Sequence, residues 1–223
     1  YGEYVDKEEN KIYKGYWING KLGGIGIELG PDYKYFGCFI NKIKNMENLK
    51  VNDSLSWAND KEILAIIKSE KLYYSDAINK INHYGMSQER CIILTDKALY
   101  NMKKKTLRRK ISYDLVRGVT FSKLTYEFVI HGNDDEYDYQ YISPDRDLIL
   151  CLMAIFYQKN VQKPMKICEV QEKSLKNFVT GKKEKKKDSS YSKMDEKFLI
   201  DTAEYINKNI KEISEGSKAK TGD

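Results

Sequence analysis

Between Lys103 and Lys110 the sequence KKKTLRRK sets six basic side chains within eight residues and no acid among them. Like charges packed this closely repel one another. A cluster held in place is relieved when an anion sits against it, on a lipid, a nucleic acid or a phosphorylated partner. The plainer reading of such a run is a solvated turn. A second charged segment, GNDDEYD from Gly132 to Asp138, lacks the ligand spacing of a calcium loop and reads as a solvated acidic turn. Together the two loops would make the domain dipolar, with its basic side toward an anionic surface. Other chemistry finds little support. His83 and His131 have no evident nucleophile partner, and neither G-x-S-x-G nor a Walker-type phosphate loop occurs. The cysteines, Cys38, Cys91, Cys151 and Cys168, are scattered without a C-x-x-C pair, which suits reduced thiols, with Cys91 and Cys151 in apolar runs as core residues. The expectation is a protein that is not an enzyme, with no catalytic residue, cofactor or metal site. No nucleic-acid partner is expected, because aromatic RNA-binding signatures and recognition-helix motifs are missing.

The elements that position the basic run must be strands. RCIILTDKALYNM precedes it and ISYDLVRGVTFS follows, so the cations fall at a hairpin end. From Ala77 to Ser143 the chain breaks into seven strand-like runs with tight connections, a meander that closes on itself. SPDRDLILCLMAIFYQKN then reads as a helix with Ser143 as N-cap, Pro144 at the first helical position and Asp145 in the first turn. Leu148, Leu152, Ile155 and Phe156 make its apolar face. Upstream, NDKEILAIIKSE predicts a short helix capped by Asn59, with Ile63, Ile66 and Ile67 on the side that docks on a neighbouring module. Downstream, a charge-rich linker (TGKKEKKKDSS) leads to a last amphipathic helix with Leu199, Ala203, Ile206 and Ile210 on one face.

The chain has 223 residues, 39 basic and 33 acidic, a formal charge of +6 and 41% hydrophobic content, enough for one domain with appendages or two small ones. No apolar run approaches the roughly 18 residues that cross a bilayer. The opening YGEYVDKEENK is neither a signal peptide nor a myristoylation site, so membrane contact would be peripheral. A start at Tyr1 rather than Met suggests a piece of a longer protein.

Two families are resembled. The run YKGYWINGKLGGIG, with Tyr13, Gly15, Trp17, Gly20, Gly24 and Gly26, returns as Tyr35, Gly37 and Phe39 after 22 residues. It is similar to MORN repeats, which implies stacked hairpins and a scaffold role. Lys42, where Gly20 stood, marks a terminal copy. Seven strands and a closing helix resemble the pleckstrin-homology architecture. The stretch AINKINHYGMSQERCIILTDKALYNMKKKTLRRKISYDLVRGVTFSKLTYEFVIH is similar to the pleckstrin-homology-related tail domain of class I myosins. That resemblance implies headgroup binding by a first-strand lysine and a second-strand arginine, which fall on Lys80 and Arg90. The family pattern is broken at His83 and Gln88, which points to weak, charge-driven binding. The alternative for Lys80 and Arg90 is a structural ion pair with Glu89 or Asp96.

The expected fold is mainly β with α (α+β): MORN-type hairpins at 1–45, a connector with a short helix at 46–74, a seven-stranded pleckstrin-homology-like barrel or sandwich capped by a C-terminal helix at 75–168, a basic flexible linker at 169–191 and an amphipathic helix at 192–214. The expected headgroup site is Lys80, Arg90, Lys103, Lys104, Lys105, Arg108, Arg109 and Lys110. Protein partners would meet Tyr13, Trp17, Tyr35 and Phe39 of the repeats, or Leu199, Ile206 and Ile210 of the last helix. The expected function is a non-catalytic, cytoplasmic adaptor, peripheral to the membrane or in the cortical cytoskeleton, that binds phosphoinositide or phosphatidic acid weakly. The alternative is a cytoskeletal or signalling scaffold whose barrel no longer binds lipid, or a regulatory part of a larger protein.

Overall fold

The computed structural model describes residues 2–18, 21–29, 34–39, 51–82, 84–163, 165–181 and 200–201. The chain opens on a four-stranded antiparallel sheet in sequence order: β1 (Gly2–Asp6), β2 (Lys11–Ile18), β3 (Lys21–Leu29) and β4 (Lys34–Phe39). Its register accounts for the repeat. Gly2, Gly15, Gly26 and Gly37 pair across the sheet in one row, and Tyr4, Tyr13, Glu28 and Tyr35 in another. Tyr13, expected on a partner-binding face, is instead buried at 7% exposure, its ring 6.2 Å from that of Tyr4. Trp17 pairs with Leu22 and Phe39 with Gly24, so these positions lie within the ladder.

The larger sheet is built from β5 (Asn52–Asp53), β6 (Leu72–Ile81), β7 (Ser87–Thr95), β8 (Ala98–Lys103), β9 (Thr106–Ser112), β10 (Val116–Ser122), β11 (Glu127–Gly132), β12 (Tyr139–Ile142), β13 (Lys166–Val170) and β14 (Ile200–Asp201). Its order is β14-β13-β10-β11-β12-β6-β7-β8-β9, with β5 beside β6. The strands β6 to β12 are the seven expected from the sequence. Two α-helices are described, α1 (Lys61–Ile67) and α2 (Arg146–Val161). The described residues are therefore mostly β with two α-helices, a pleckstrin-homology-like sandwich closed by α2. None of the described helices is long and apolar enough to cross a membrane.

Period-two alternation separates the two faces. Tyr74, Ile78, Ile92, Leu94, Leu99 and Ile111 share the inner face with Val119, Phe128 and Ile130, and α2 packs on it through Ile149, Leu150, Leu152, Met153 and Phe156. The alternating residues Ile93, Ala98, Tyr100 and Met102, with Leu72 beyond the register shift before Tyr74, turn outward to meet Trp57, Ile63 and Ile67. Helix α1 is thus docked on the outer face of β6–β8. Its N-cap is Asp60 rather than Asn59: the Asp60 carboxylate accepts from the backbone N–H of Glu62 and Ile63. Ile63 and Ile67 are buried against the sheet, with Ile66 partly buried beside them.

Helix α2 begins two residues later than Ser143 implied. Asp145 is the N-cap, while the Ser143 hydroxyl accepts from Asp145 N–H at 3.1 Å. Arg146, 4% exposed, turns back to donate to the carbonyls of Ser122 and Thr125, and so ties the helix start to the β10–β11 turn. Beyond α2 the chain does not leave the domain at 169. β13 runs parallel to β10, Leu175 is fully buried, and Thr180 accepts at its carbonyl from Asp138 N–H and donates its own N–H to the Asp138 carboxylate. The linker expected from 169 is therefore part of the packed fold up to 181. Its apolar and hydrogen-bonding residues, Leu175 and Thr180, sit among charges that hid them. Within the segment read as a last helix, Ile200 and Asp201 form a strand antiparallel to β13, whose free edge offers backbone partners. Leu199, Ile206 and Ile210 lie outside the described residues.

The acidic loop is anchored as well. Asp138 is buried and its carboxylate accepts from His131 Nδ1 at 3.0 Å, Gly132 N–H at 3.1 Å and Thr180 N–H at 3.0 Å; Thr120 Oγ1 lies 2.7 Å from His131 Nε2. Removing that carboxylate strands several buried donors at once. Asp138→Ala is expected to cost about 3 kcal/mol in a denaturant-unfolding measurement, and Asp138→Asn visibly less, since the amide keeps an acceptor.

Candidate functional site

The inner face changes character along its own length. Where α2 covers it, the residues are apolar. Toward the end that holds the β6–β7, β8–β9 and β11–β12 connections, the same face carries Lys80, Gln88, Arg90 and Arg109. In register, Ile78 faces Arg90, Lys80 faces Gln88, and Asn101 faces Arg109. Lys80 and Tyr141 are partners across β6–β12. The cations therefore follow directly on the core positions Ile78, Ile92, Leu99 and Ile111, one or two rungs further out.

Tyrosines line this mouth. Tyr137, Tyr139 and Tyr141 stand at alternate positions entering and along β12, with the rings of Tyr137 and Tyr139 4.3 Å apart and those of Tyr139 and Tyr141 at 6.3 Å. Lys80 Nζ donates to the Tyr137 hydroxyl at 3.2 Å and lies 4.9 Å and 5.1 Å from the Tyr137 and Tyr139 ring centres. Arg90 donates to Gln88 Oε1 and to the Glu89 carbonyl, both at 2.7 Å. Arg109 donates to the Tyr139 hydroxyl at 3.0 Å and to Glu136 at 2.7 Å, with its guanidinium 5.7 Å from the Tyr137 ring centre. Below them the Tyr141 hydroxyl and Asn101 Oδ1 are buried close to each other, with no partner at normal hydrogen-bond geometry among the described residues.

These surroundings set the charge states. The hydrogen bond to Glu136, then that to Tyr139, holds the Arg109 guanidinium even more firmly protonated than usual. Burial pushes the Tyr139 and Tyr141 hydroxyls up, so both stay neutral O–H donors at every physiological pH, Arg90 nearby offsetting part of the effect at Tyr141. The mouth thus offers fixed cations above neutral donors and acceptors, a set suited to phosphate oxygens.

Neither Lys80 nor Arg90 pairs with a carboxylate among the described residues. The ion pairs with Glu89 or Asp96 are not formed: Glu89 contributes its backbone carbonyl, and Asp96 accepts from Lys71 N–H. Gln88, where the family pattern expects a cation, orients Arg90 through its amide. His83 lies outside the described residues.

The basic run divides three ways. Arg109 turns inward to the mouth. Lys105 pairs with Asp60 at 2.6 Å at the start of α1, and Lys110 with Glu70 at 2.5 Å over the ring of Tyr100, both on the outer face. Burial pushes the Tyr100 hydroxyl up to about 12. Lys103, Lys104 and Arg108 are exposed and make no ion pair among the described residues. Lys104 sits in the left-handed region at φ 51, at the tip of the β8–β9 hairpin. The acidic segment, expected as a solvated turn, instead packs over the mouth through Glu136 and Tyr137. A methyl on Gly132 would meet Glu136 Cβ at 2.9 Å, so glycine is what lets this loop close. Residues missed from sequence are Asn101, Glu136, Tyr137, Tyr139 and Tyr141; the alternate tyrosines of YDYQY were the available signal.

A family model described as the unconventional myosin tail, actin- and lipid-binding, matches residues 47–197, more than half of the chain. Among curated proteins none matches. Solved structures that share some similarity include the DH/PH domains of a p115-RhoGEF mutant, at 12% identity and TM-score 0.36 over 44% of this chain and 35% of that one. An N-terminally truncated linker-DH/PH form of p115-RhoGEF gives 13% identity and TM-score 0.37 over 48% and 37%. The chain spans little more than a third of those structures, and likenesses this distant bear on neither fold nor function.

The site separates residues that hold the fold from residues that do not. Lys80→Met and Arg90→Met are each expected to leave unfolding free energy within about 0.5 kcal/mol of the parent. Arg109→Met is expected to cost about 1 kcal/mol, because it leaves the half-buried Glu136 unpaired. Chemical denaturation of the three variants checks this.

Proposed function

The chain belongs to the unconventional myosin tail family, described as actin- and lipid-binding, and from that premise we propose that it is a non-catalytic adaptor whose barrel mouth binds anionic phospholipid weakly, at the membrane or the cortical cytoskeleton. Lys80, Arg90 and Arg109 would meet a phosphate of the headgroup, phosphoinositide or phosphatidic acid, while exposed Lys103, Lys104 and Arg108 add a diffuse field. The observation that carries this reading is that Lys80 and Arg90 lie on one face at one end of the barrel with no carboxylate among the described residues to neutralise either. Fixed cations left in that state raise each other's cost until an anion arrives. Weakness follows from Gln88, which supplies an amide in place of a third charge. Lys105 and Lys110 already have carboxylate partners and would contribute less.

In the same reading, the four-stranded sheet at the start of the chain is a MORN-type scaffold element, and residues 75–168 with the packed tail to 181 form the lipid-facing unit. A second reading has one observation in its favour: Glu136 already occupies Arg109 and Tyr137 lies against Lys80. On that reading the mouth is closed, and the protein serves as a cytoskeletal scaffold for protein partners.

Co-sedimentation with vesicles of phosphatidylcholine, with and without phosphatidic acid or a phosphoinositide, distinguishes the two. Binding to acidic vesicles is expected at low salt, fading as salt rises, and Lys80→Glu with Arg90→Glu is expected to reduce it about tenfold or more. Binding indifferent to both charge reversals would contradict the site. No binding at low salt would favour the scaffold.

A further inference from the structure

The β8–β9 hairpin holds a hydroxyl where the unpaired cations are densest. Thr106 is the first residue of β9 and is exposed, with Lys103, Lys104 and Lys105 immediately before it and Leu107 and Arg108 after it. No other exposed serine or threonine among the described residues has such a setting. Ser54, Ser56 and Ser87 follow no cation within three residues, and Ser69 and Ser174 follow one each. Protein kinases that prefer basic substrates select them by charge pattern, and three consecutive lysines ahead of the acceptor supply that pattern.

The fold leaves this residue easy to reach. β9 ends the order of the larger sheet, and Thr106 belongs to the last rung before the turn, opposite Lys103. An enzyme that draws the acceptor into its own cleft opens that rung alone, since burial on β9 begins only at Ile111. In the transfer, Thr106 Oγ attacks the γ-phosphorus of ATP, the bond from that phosphorus to the bridging oxygen breaks, ADP leaves, and the hydroxyl proton passes to the kinase's base. The phosphothreonine carries about −1.5 to −2 charges and three acceptor oxygens at neutral pH. Its cross-strand partner is Lys103, at a position where Cβ atoms stand about 5 Å apart. Arg108, two residues along, is the member of β9 that the bulge leaves without a partner on β8. Lys105 and Lys110 are held by Asp60 and Glu70, so the field of the run comes from Lys103, Lys104 and Arg108. A phosphate among these three cancels most of it.

We infer that Thr106 is a phosphorylation site for a protein kinase directed to basic substrates, and that its phosphate, held by Lys103 and Arg108, releases the protein from anionic membrane. The release rests on the lipid reading of the mouth and its surrounding field; the acceptor assignment rests on the hairpin alone.

The test treats the full chain with the catalytic fragment of protein kinase C and magnesium ATP, locates phosphate by mass spectrometry, and measures sedimentation with vesicles of phosphatidylcholine and phosphatidylserine at low salt. A phosphate on Thr106 is expected, with vesicle binding weakened about tenfold. Thr106→Val, treated alike, is expected to keep the untreated parent's binding and thermal midpoint. Absence of phosphate from Thr106 overturns the acceptor. A phosphate on Thr106 that leaves binding unchanged overturns the switch, as does a fall in binding that treated Thr106→Val shows equally. An untreated parent that fails to sediment overturns the lipid reading and the switch with it, while the acceptor is still scored by mass spectrometry.

Discussion

The register between β6 and β7, with Ile78 opposite Arg90 and Lys80 opposite Gln88, is the constraint on which the mouth depends. Side chains alternate across a strand, so the face that buries Tyr74, Ile78, Ile92 and Leu94 under α2 must also present Lys80 and Arg90 once the strands pass beyond the helix. A slip of one residue would turn both cations to the outer face and drive Asn79 and Glu89 into the barrel. Burial of the apolar rungs thus fixes the position of the polar ones. The core residues that give the fold its stability set the direction in which the cations point.

The same logic extends to the neighbouring strands. Leu99 and Ile111 belong to the inner core, and Asn101 and Arg109 follow on that face before the bulge between Asn101 and Met102 shifts the register. That bulge decides which member of the basic run turns inward. The loop from Asn133 to Asp138 is held by Asp138 at one end and by the close packing of Gly132 at the other, which leaves Glu136 against Arg109 and Tyr137 between Lys80 and Arg109. An acidic side chain and an aromatic ring from one loop therefore moderate the cations of two hairpins. Among the described residues, no carboxylate competes for Lys80 or Arg90, whereas Arg109 is shared with Glu136.

Much of this architecture was legible in the sequence because it rests on local pattern. The short apolar runs of ERCIILTD and ALYNMKK between turn residues and the apolar face of LILCLMAIFY marked strands and helix within a few residues. The caps shifted by a residue or two, from Asn59 to Asp60 and from Ser143 to Asp145, because adjacent polar residues compete for one role and packing decides between them. What could not be read were long-range facts. Charge-rich surroundings hid Leu175 and Thr180, which find their partners in β11 and the loop that follows it. Ile200 and Asp201 fit a helical period, yet they extend a sheet edge. For the site, residue type pointed to Lys80 and Arg90 through family resemblance, but the division of KKKTLRRK among mouth, outer face and solvent depends on one bulge and on acids far away in sequence, Asp60, Glu70 and Glu136.

The most direct measurement is an NMR titration of the full chain with a short-chain, soluble phosphoinositide at low salt, following backbone amides and tyrosine rings. The largest shift changes are expected at Lys80, Gln88, Arg90 and Arg109, with Tyr137 and Tyr139 moving alongside as Glu136 yields Arg109. Changes confined to Lys103, Lys104 and Arg108, with the mouth silent, would contradict it.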